Sequence, residues 1–506
     1  MNMFTNILSK LRPQKQSWIE KNNLLVIVVA VLLFMSMALL IGLRQSVWFD
    51  EAYSIIVAKQ SVGELLRLTA LDTHPPLYYV VLHFWAGLFG WSELALRSLS
   101  VIMAGGAVFV GALLVRRLFG VQTALITLPF LLFAPFLLRY GFEIRMYAMA
   151  SLICISATYL LVAALDAKTR KQKWLLYGGY AVLVALGVYT LYYTALVWIA
   201  HLVWLVWVTH KAKRPLTKQP WLLAYLGSVL LFLPWLPTFV SQVGNGALAA
   251  ISQPLTVDNL VGIVSFQFLY QPTWQLDAVW SLVFVALVVA LCVLTVRGMR
   301  YISKSEKKYV VLLLAYFMVP IIVLTLVSLV RPMYVERYLA HVILGMMLLT
   351  GVIVSFAVRD GTRVTKLLAG LVVVILASGT AHLMQVGNYN FQRLQLPQVN
   401  LAAEVTECKD GNVVLAADPY TAIELMYYLP PECDLRFYSE TASLSGGYAP
   451  LSNSPKRVSD PATELSDKQT IIYVHYDEPR LTLPPHLRET QVIGLDSLKI
   501  ATFSAE

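Results

Sequence analysis

The sequence predicts an α-helical polytopic membrane protein with about eleven transmembrane helices, followed by a small extracytoplasmic α/β domain. Three observations predict it. Of 506 residues, 58% are hydrophobic and 13% charged, with a mean hydropathy of +0.66, whereas an ordinary soluble domain carries roughly 25% charged residues. The apolar residues fall in runs of about 20, the length that crosses ~30 Å of hydrocarbon at ~1.5 Å per residue. Near residue 388 the composition changes abruptly to ordinary charge and turn content. The bilayer is therefore the solvent for residues 1–387, and 388–506 are long enough for a separate domain.

Spans are expected at 23–43, 96–115, 121–138, 146–165, 174–190, 192–209, 221–239, 277–296, 309–330, 338–357 and 367–386. The first is too long, and too lacking in a small-residue cleavage site, for a removable signal peptide. It is expected to remain as a helix.

The net charge of +10 does not indicate a nucleic-acid partner, because it sorts by loop. Residues 1–22 and alternate loops, including Arg116-Arg117, Lys168–Lys173, Lys211–Lys218, Arg297–Lys308 and Arg359–Lys366, hold 22 of the 39 Lys and Arg. The positive-inside rule makes that side cytoplasmic. The N-terminus is then cytoplasmic, while the loop 44–95 and everything after 387 lie outside, as expected of a plasma (inner) membrane protein. The opposite short loops hold Arg44, Lys59, Arg67, Arg97, Arg139, Arg145, Arg331 and Arg337, and seven of these eight are arginine. Guanidinium groups suit bidentate recognition of phosphate or carboxylate. Pairing with Glu51, Glu93, Glu143 and Glu336 explains them equally well.

Loop 44–95 carries helix signals rather than a simple turn. Asp50 can cap a helix over 51–60, Ser61-Val-Gly-Glu64 fits a capping box, and Asp72-Thr-His-Pro-Pro places Pro75 or Pro76 in the first turn of a third helix. That third helix, LYYVVLHFWAGLF, is apolar enough for the membrane interface. Between 240 and 276 the aromatics Phe266, Phe268, Tyr270 and Trp274 are expected in an interfacial belt, with sugar stacking as the alternative. The C-terminal domain shows strand patterns at 413–417, 435–439, 471–476 and near 498–503, helical patterns at 398–408 and 419–428, and a long loop at 441–468. It contains no catalytic motif and is expected to serve as a lid or acceptor-docking module. Cys154 and Cys292 fall inside spans; Cys408 and Cys433, outside the membrane, are expected to form a disulfide.

Asp50 and Glu51 follow the anchor Val47-Trp48-Phe49, where acidic residues are costly unless solvated, paired or used. An N-cap for Asp50 and a helix-dipole charge for Glu51 are the bland readings. Asp72 and His74 face the same choice between cap and chemistry. The balance is tipped by co-occurrence: all four lie in one external loop, with Arg139, Glu143 and Arg145 in the next.

The strings WFDEAYS, DTHPPLYYVVLHFW, FGWSELALRSLSV, RRLFG, RYGFEIRMYAM, YTLYYTALV, LPWLP and RPMYVERYL, in that order over 48–345, resemble the family 39-like bacterial glycosyltransferases. These are similar to protein O-mannosyltransferases and to aminoarabinose transferases of lipid A, with the C-type glycosyltransferase (GT-C) fold. The resemblance implies an inverting transfer from a polyprenyl-phosphate sugar to a lipid, glycan or protein acceptor on the external face, in the cell envelope. It also implies Asp50 as base or orienting group, and Arg145 and Arg337 near the donor phosphate. Relatives have a basic residue before the double proline where this chain has His74, which leaves phosphate contact and capping both open.

The chemistry suits these residues. A carboxylate can take the proton of an attacking hydroxyl, and guanidinium groups stabilise a departing phosphate. Asp50 and Glu51 are the expected catalytic pair, and Asp72, His74, Arg139, Arg145, Tyr147, Glu336, Arg337 and Tyr338 the expected substrate-binding set. Glu336 and Arg337 can alternatively pair with each other at the end of a span. Asp50, Glu51, Asp72 and His74 can supply ligands to a divalent cation such as Mg²⁺ or Mn²⁺, but adjacent Asp-Glu is not a specific spacing and no metal is expected to be required. His201 and His341 are expected to be buried and hydrogen-bonded. A transporter or flippase of lipid-linked sugars is the alternative. It calls for ionisable residues at the bilayer midplane and similar halves, neither of which the sequence displays.

Overall fold

The computed structural model describes residues 18–244, 256–271, 276–386, 412–476, 481–495 and 498–505. The membrane part begins with α1 (Asn23–Gly42), and three short helices then cover the outer surface: α2 (Phe49–Ala58), α3 (Val62–Leu71) and α4 (Leu77–Phe89). Phe84, Leu88 and Phe89 of α4 remain exposed, as suits a helix lying against lipid. The long helix α5 (Glu93–Phe119) returns through the bilayer. Ser92 caps it by accepting from Ala95 N–H, Glu93 and Arg116-Arg117 complement its dipole, and Gly120, at φ +89°, ends it.

Next come α6 (Val121–Leu132) and α7 (Pro135–Gly141), two pieces of one span bent by 66°. Pro135 cannot continue the preceding helix, so the chain turns sideways and delivers residues 139–145 beneath the external loop. The remaining helices are α8 (Tyr147–Leu165), α9 (Arg170–Thr190), α10 (Ala195–Lys211), α11 (Pro220–Phe232), α12 (Leu236–Gly244), α13 (Val257–Leu269), α14 (Ala278–Gly298), α15 (Lys304–Ser328), α16 (Ala340–Val358) and α17 (Arg363–Val386).

The centre of the bundle is α16, 78% buried over its most apolar stretch, with α8 and α5 beside it; α14 and the α11–α12 pair, at 17% and 11%, face lipid. Small residues set the close approaches: a Cβ on Gly351 of α16 would lie 2.6 Å from Thr127 of α6.

Among the described residues nine helices are long and apolar enough to cross a membrane, ten with the bent pair. The expected span at 174–190 is the one that falls short. Its helix, α9, is present and 21 residues long, but Lys173, three tyrosines and three glycines dilute its apolarity. Its ends lie near opposite faces. At one end the preceding loop places Asp166 against Arg117 at 3.3 Å, on the basic side. At the other, Tyr193 donates to the Met333 carbonyl at 2.5 Å, and Gln242, further along, donates to the Thr69 carbonyl of the external loop at 2.8 Å.

The C-terminal domain is built on a six-stranded sheet with strand order β3-β2-β1-β4-β6-β5. The strands are β1 (Asn412–Ala416), β2 (Asp434–Tyr438), β3 (Arg457–Val458), β4 (Thr470–His475), β5 (Leu487–Leu495) and β6 (Leu498–Ala505). The β1, β2, β3 and β4 neighbours run parallel, and β5–β6 form an antiparallel hairpin edge. Helix α18 (Pro419–Tyr428) crosses from β1 to β2, capped by Asp418 accepting from Thr421 N–H. Strands β3 and β5 were absent from the sequence pattern. The expected helix at 398–408 and the proposed boundary at 387/388 involve residues outside the described ones. Cys433 is disulfide-bonded; its expected partner Cys408 also lies outside them.

One local expectation is corrected. Phe266, Phe268 and Tyr270 are buried rather than arrayed as a belt, with Phe266 packed on Phe136 at 5.8 Å between ring centres; Trp274 is not among the described residues. His201 is buried and bonded as expected, to Thr158 and Tyr180, and His341 is buried.

If α9 crosses the bilayer, the chain crosses an odd number of times and its C-terminal domain lies on the same side as loop 44–95. Single cysteines replacing Gln60, Lys171 and the exposed Asp467 of the C-terminal domain test this with a membrane-impermeant thiol reagent. Gln60→Cys and Asp467→Cys should label on intact cells, and Lys171→Cys only after permeabilisation. Asp467→Cys that labels only after permeabilisation, with Gln60→Cys labelled on intact cells, would remove the crossing.

Candidate active site

The external surface buries several charged side chains, and each must find a partner. Glu51 is 1% exposed. It meets Arg97 at 3.2 Å and accepts from Ile144 N–H at 2.9 Å. Burial pushes its carboxyl up, and the Arg97 guanidinium pulls it back. Arg97, wholly buried, also pairs with Glu93 at 2.9 Å and donates to the Ser46 carbonyl at 3.1 Å. Glu143 accepts from the Trp48 indole N–H at 2.7 Å and pairs with Arg139 at 3.4 Å. Burial pushes its carboxyl up too, with the Arg139 charge opposing.

Asp50 differs from its neighbour. The helix begins at Phe49 with Trp48 at the N-cap, so Asp50 lies in the first turn and is not the expected cap. On a helix, adjacent residues point about 100° apart, and while Glu51 turns inward Asp50 keeps 13% of its side chain exposed. Its Oδ2 lies 3.6 Å from Arg337 Nη2 and 4.0 Å from Arg145 Nε, and has no hydrogen-bond partner among the described residues. Two cations thus flank a carboxylate oxygen without closing on it.

Each cation is held from behind. Arg145 Nη1 donates to the Tyr79 hydroxyl at 3.1 Å, to Ser54 Oγ at 3.2 Å and to the Asp50 carbonyl at 3.3 Å. The Arg337 guanidinium lies 5.8 Å from the Trp48 ring centre and 5.7 Å from that of Tyr338, a cation–π arrangement. The alternative ion pair between Glu336 and Arg337 is not found among the described residues; Arg337 turns to Asp50 instead.

His74 completes the wall. Burial lowers it below the ordinary imidazole range, against the attraction of Asp72. Its Nδ1 lies 3.1 Å from Asp72 Oδ2, and its Nε2 lies 2.9 Å from the Tyr338 hydroxyl and 3.4 Å from Arg145 Nη2; with the proton on Nδ1, the ring donates to Asp72 and accepts at Nε2. Tyr147 packs beside Tyr140 and Tyr338, its buried hydroxyl without a hydrogen-bond partner among the described residues.

The structure therefore gathers Asp50, Asp72, His74, Arg145, Tyr147, Arg337 and Tyr338 in one place. Glu51 and Arg139 are engaged in buried pairs behind it. Asp50, Glu51, Asp72 and His74 do not converge as one ligand set, and no group of three or more metal-ligating side chains occurs among the described residues. Ser54 and Tyr79 were not anticipated; their signal, a hydroxyl one turn after Asp50 and another in the first turn of the helix that follows His74, was present.

The Arg97–Glu51 pair carries a stability expectation. Arg97→Met leaves a buried carboxylate unpaired, at a cost of about 3–5 kcal/mol, whereas the double variant Arg97→Met/Glu51→Met should recover most of it. Thermal unfolding in detergent measures both. An Arg97→Met protein that melts with the native one would mean that the pair does not hold the loop.

Several known proteins resemble this chain. Residues 73–237 match the family described as dolichyl-phosphate-mannose-protein mannosyltransferase, a segment that includes His74, Arg139, Arg145 and Tyr147 but neither Asp50 nor Arg337. No curated protein matches in sequence. Among solved structures, ArnT from Cupriavidus metallidurans in the apo state superposes with a TM-score of 0.60 at 14% identity, covering 94% of this chain and 97% of that one. The same protein bound to undecaprenyl phosphate gives 0.58 at 13% identity, covering 95% and 97%. The Archaeoglobus fulgidus oligosaccharyltransferase, in complex with Zn and sulfate, gives 0.52 at 12% identity, covering 88% and 67%. The chain is a polytopic membrane protein that shares its GT-C fold with ArnT, and its residues 73–237 match the dolichyl-phosphate-mannose-protein mannosyltransferase model.

Proposed function

We propose that this protein transfers a sugar from a polyprenyl-phosphate donor to a hydroxyl-bearing acceptor on the outer face of the plasma (inner) membrane, with inversion at the anomeric carbon. The observation that carries this reading is Asp50 Oδ2, partly exposed and set between Arg337 and Arg145 at 3.6 and 4.0 Å without a hydrogen bond to either. A donor phosphate seated against the two guanidinium groups places the anomeric carbon beside this carboxylate. The acceptor hydroxyl gives its proton to Asp50 as its oxygen bonds to that carbon. The carbon–oxygen bond to phosphate breaks, and the polyprenyl phosphate leaves with the electron pair, its charge stabilised by Arg145 and Arg337.

The donor's hydrocarbon also has a place to lie. An apolar groove of about 530 Å³ runs among α13, α14, α15 and α16, lined by Phe268, Leu291, Leu314, Phe317 and Thr350. One of its walls, α13, packs through Phe266 on Phe136 of α7, the helix that leads into Arg139 and Arg145. The acceptor is a lipid, glycan or protein. The resemblance to ArnT and to the mannosyltransferase family supports this reading, and the two guanidinium groups supply positive charge that a divalent ion could otherwise provide.

Transfer from radiolabelled polyprenyl-phosphate sugars in vesicles tests it. Asp50→Asn and Asp50→Ala should lower transfer by about 10²-fold or more, while EDTA leaves it intact. Full transfer in both variants would sink the assignment of Asp50. Sugar-lipid that reaches the outer leaflet without being transferred would instead favour a flippase.

A further inference from the structure

The helix that presents Asp50 has no cap of its own. Trp48 occupies the N-cap with extended backbone and makes no side-chain cap bond; its indole is committed to Glu143. First-turn N–H groups need acceptors when buried. The acceptor for Phe49 N–H is Glu424 Oε1, at 3.1 Å, from α18 of the C-terminal domain. Glu424 is 1% exposed, and its second oxygen accepts from the Tyr476 hydroxyl at 2.6 Å.

The same helix also grips Val47 and the Phe49 ring. Tyr428, one turn beyond Glu424, accepts from Val47 N–H at 2.7 Å and donates to the Val47 carbonyl at 3.0 Å. Tyr420, one turn before it, stacks on the Phe49 ring with centroids 4.5 Å apart and planes 6° from parallel. Tyr448 meets that ring edge-on at 5.5 Å, and a Cβ on Gly447 would come within 3.0 Å of it. Apolar packing alone would join the two parts. A buried carboxylate is costly, yet here it points at a helix N-terminus, where negative charge is favoured.

We infer that Glu424 is a positioning residue for the transfer step. By capping α2 from the C-terminal domain it fixes the direction in which Asp50 leaves the helix, and so holds Oδ2 between Arg145 and Arg337. No side chain of that domain bonds to the Asp50 carboxylate among the described residues, so the effect passes through the backbone of residues 47–50. This inference rests on the proposed transferase reading for its kinetic consequence, but not for its structural one.

The test uses full-length protein in nanodiscs, comparing the native chain with Glu424→Gln, Glu424→Ala and Tyr428→Phe by transfer kinetics and by hydrogen–deuterium exchange. Glu424→Ala should lower kcat about tenfold or more, with donor KM changed less than about twofold. It should also speed amide exchange in residues 49–54 while leaving 340–358 as in the native protein. Glu424→Gln keeps an acceptor oxygen and should restore both towards native values. Native kcat and exchange in Glu424→Ala would overturn the inference, as would a folded Glu424→Gln that behaves like Glu424→Ala. If Glu424→Ala does not fold, Tyr428→Phe decides: a smaller loss of kcat with faster exchange at 47–50 supports the inference, and native behaviour in both overturns it. If exchange responds as described while the native protein transfers no sugar from any polyprenyl-phosphate donor, the capping role stands and the transferase reading falls.

Discussion

Burying charge at the outer edge of a membrane protein is tolerable only when each ion meets its opposite, and this requirement organises the external half of the molecule. Glu51 needs Arg97, which ties α2 to α5. Glu143 needs Arg139 and the Trp48 indole, which ties the chain after α7 to the residues before α2. Once these pairs form, Trp48, Asp50 and Arg145 have little freedom, and α16 brings Arg337 to the remaining open side.

The pairs also sort themselves by tightness. Glu51 and Glu143 are wholly buried, with partners at 2.7–3.4 Å. Asp50 is partly open, and its cations stand at 3.6 and 4.0 Å. A closed pair resists rearrangement; a loose one can exchange partners at little cost. The adjacent carboxylates Asp50 and Glu51 thus have different work because consecutive residues of a helix face different surroundings, one towards a groove and one towards the bundle.

Much of this was legible in the sequence where the cause is local. Hydrophobic run length located every membrane helix, since a lipid-facing segment has no other way to satisfy its backbone. It placed a span over α9 too, whose averaged hydropathy is low because tyrosines and glycines that pack against neighbouring helices dilute it. What comes from distant parts of the chain was not legible. Asp50 read as a cap because nothing nearby suggested that the acceptor would come from Glu424, 375 positions away. His74 read as a cap or phosphate contact, and its partner Tyr338 lies 264 positions away. Strand β5 was missed because LRETQVIGL belongs to a hairpin edge with much of its surface in solvent, so its apolar alternation is weak.

The bend between α6 and α7 bears on how the molecule is made. Helix α6 has 12 residues, about 18 Å, too short to cross ~30 Å of hydrocarbon alone. Its stable seat is the groove beside α16, where Thr127 lies against Gly351. Ribosomes deliver α16 more than 200 residues later, and Arg337 arrives with it. During synthesis, then, the early half of the site waits at the membrane surface with Asp50 facing Arg145 alone. Asp50 gains its second cation only when Arg337 enters the bundle, and the C-terminal domain, made later still, then brings Glu424 to Phe49 N–H.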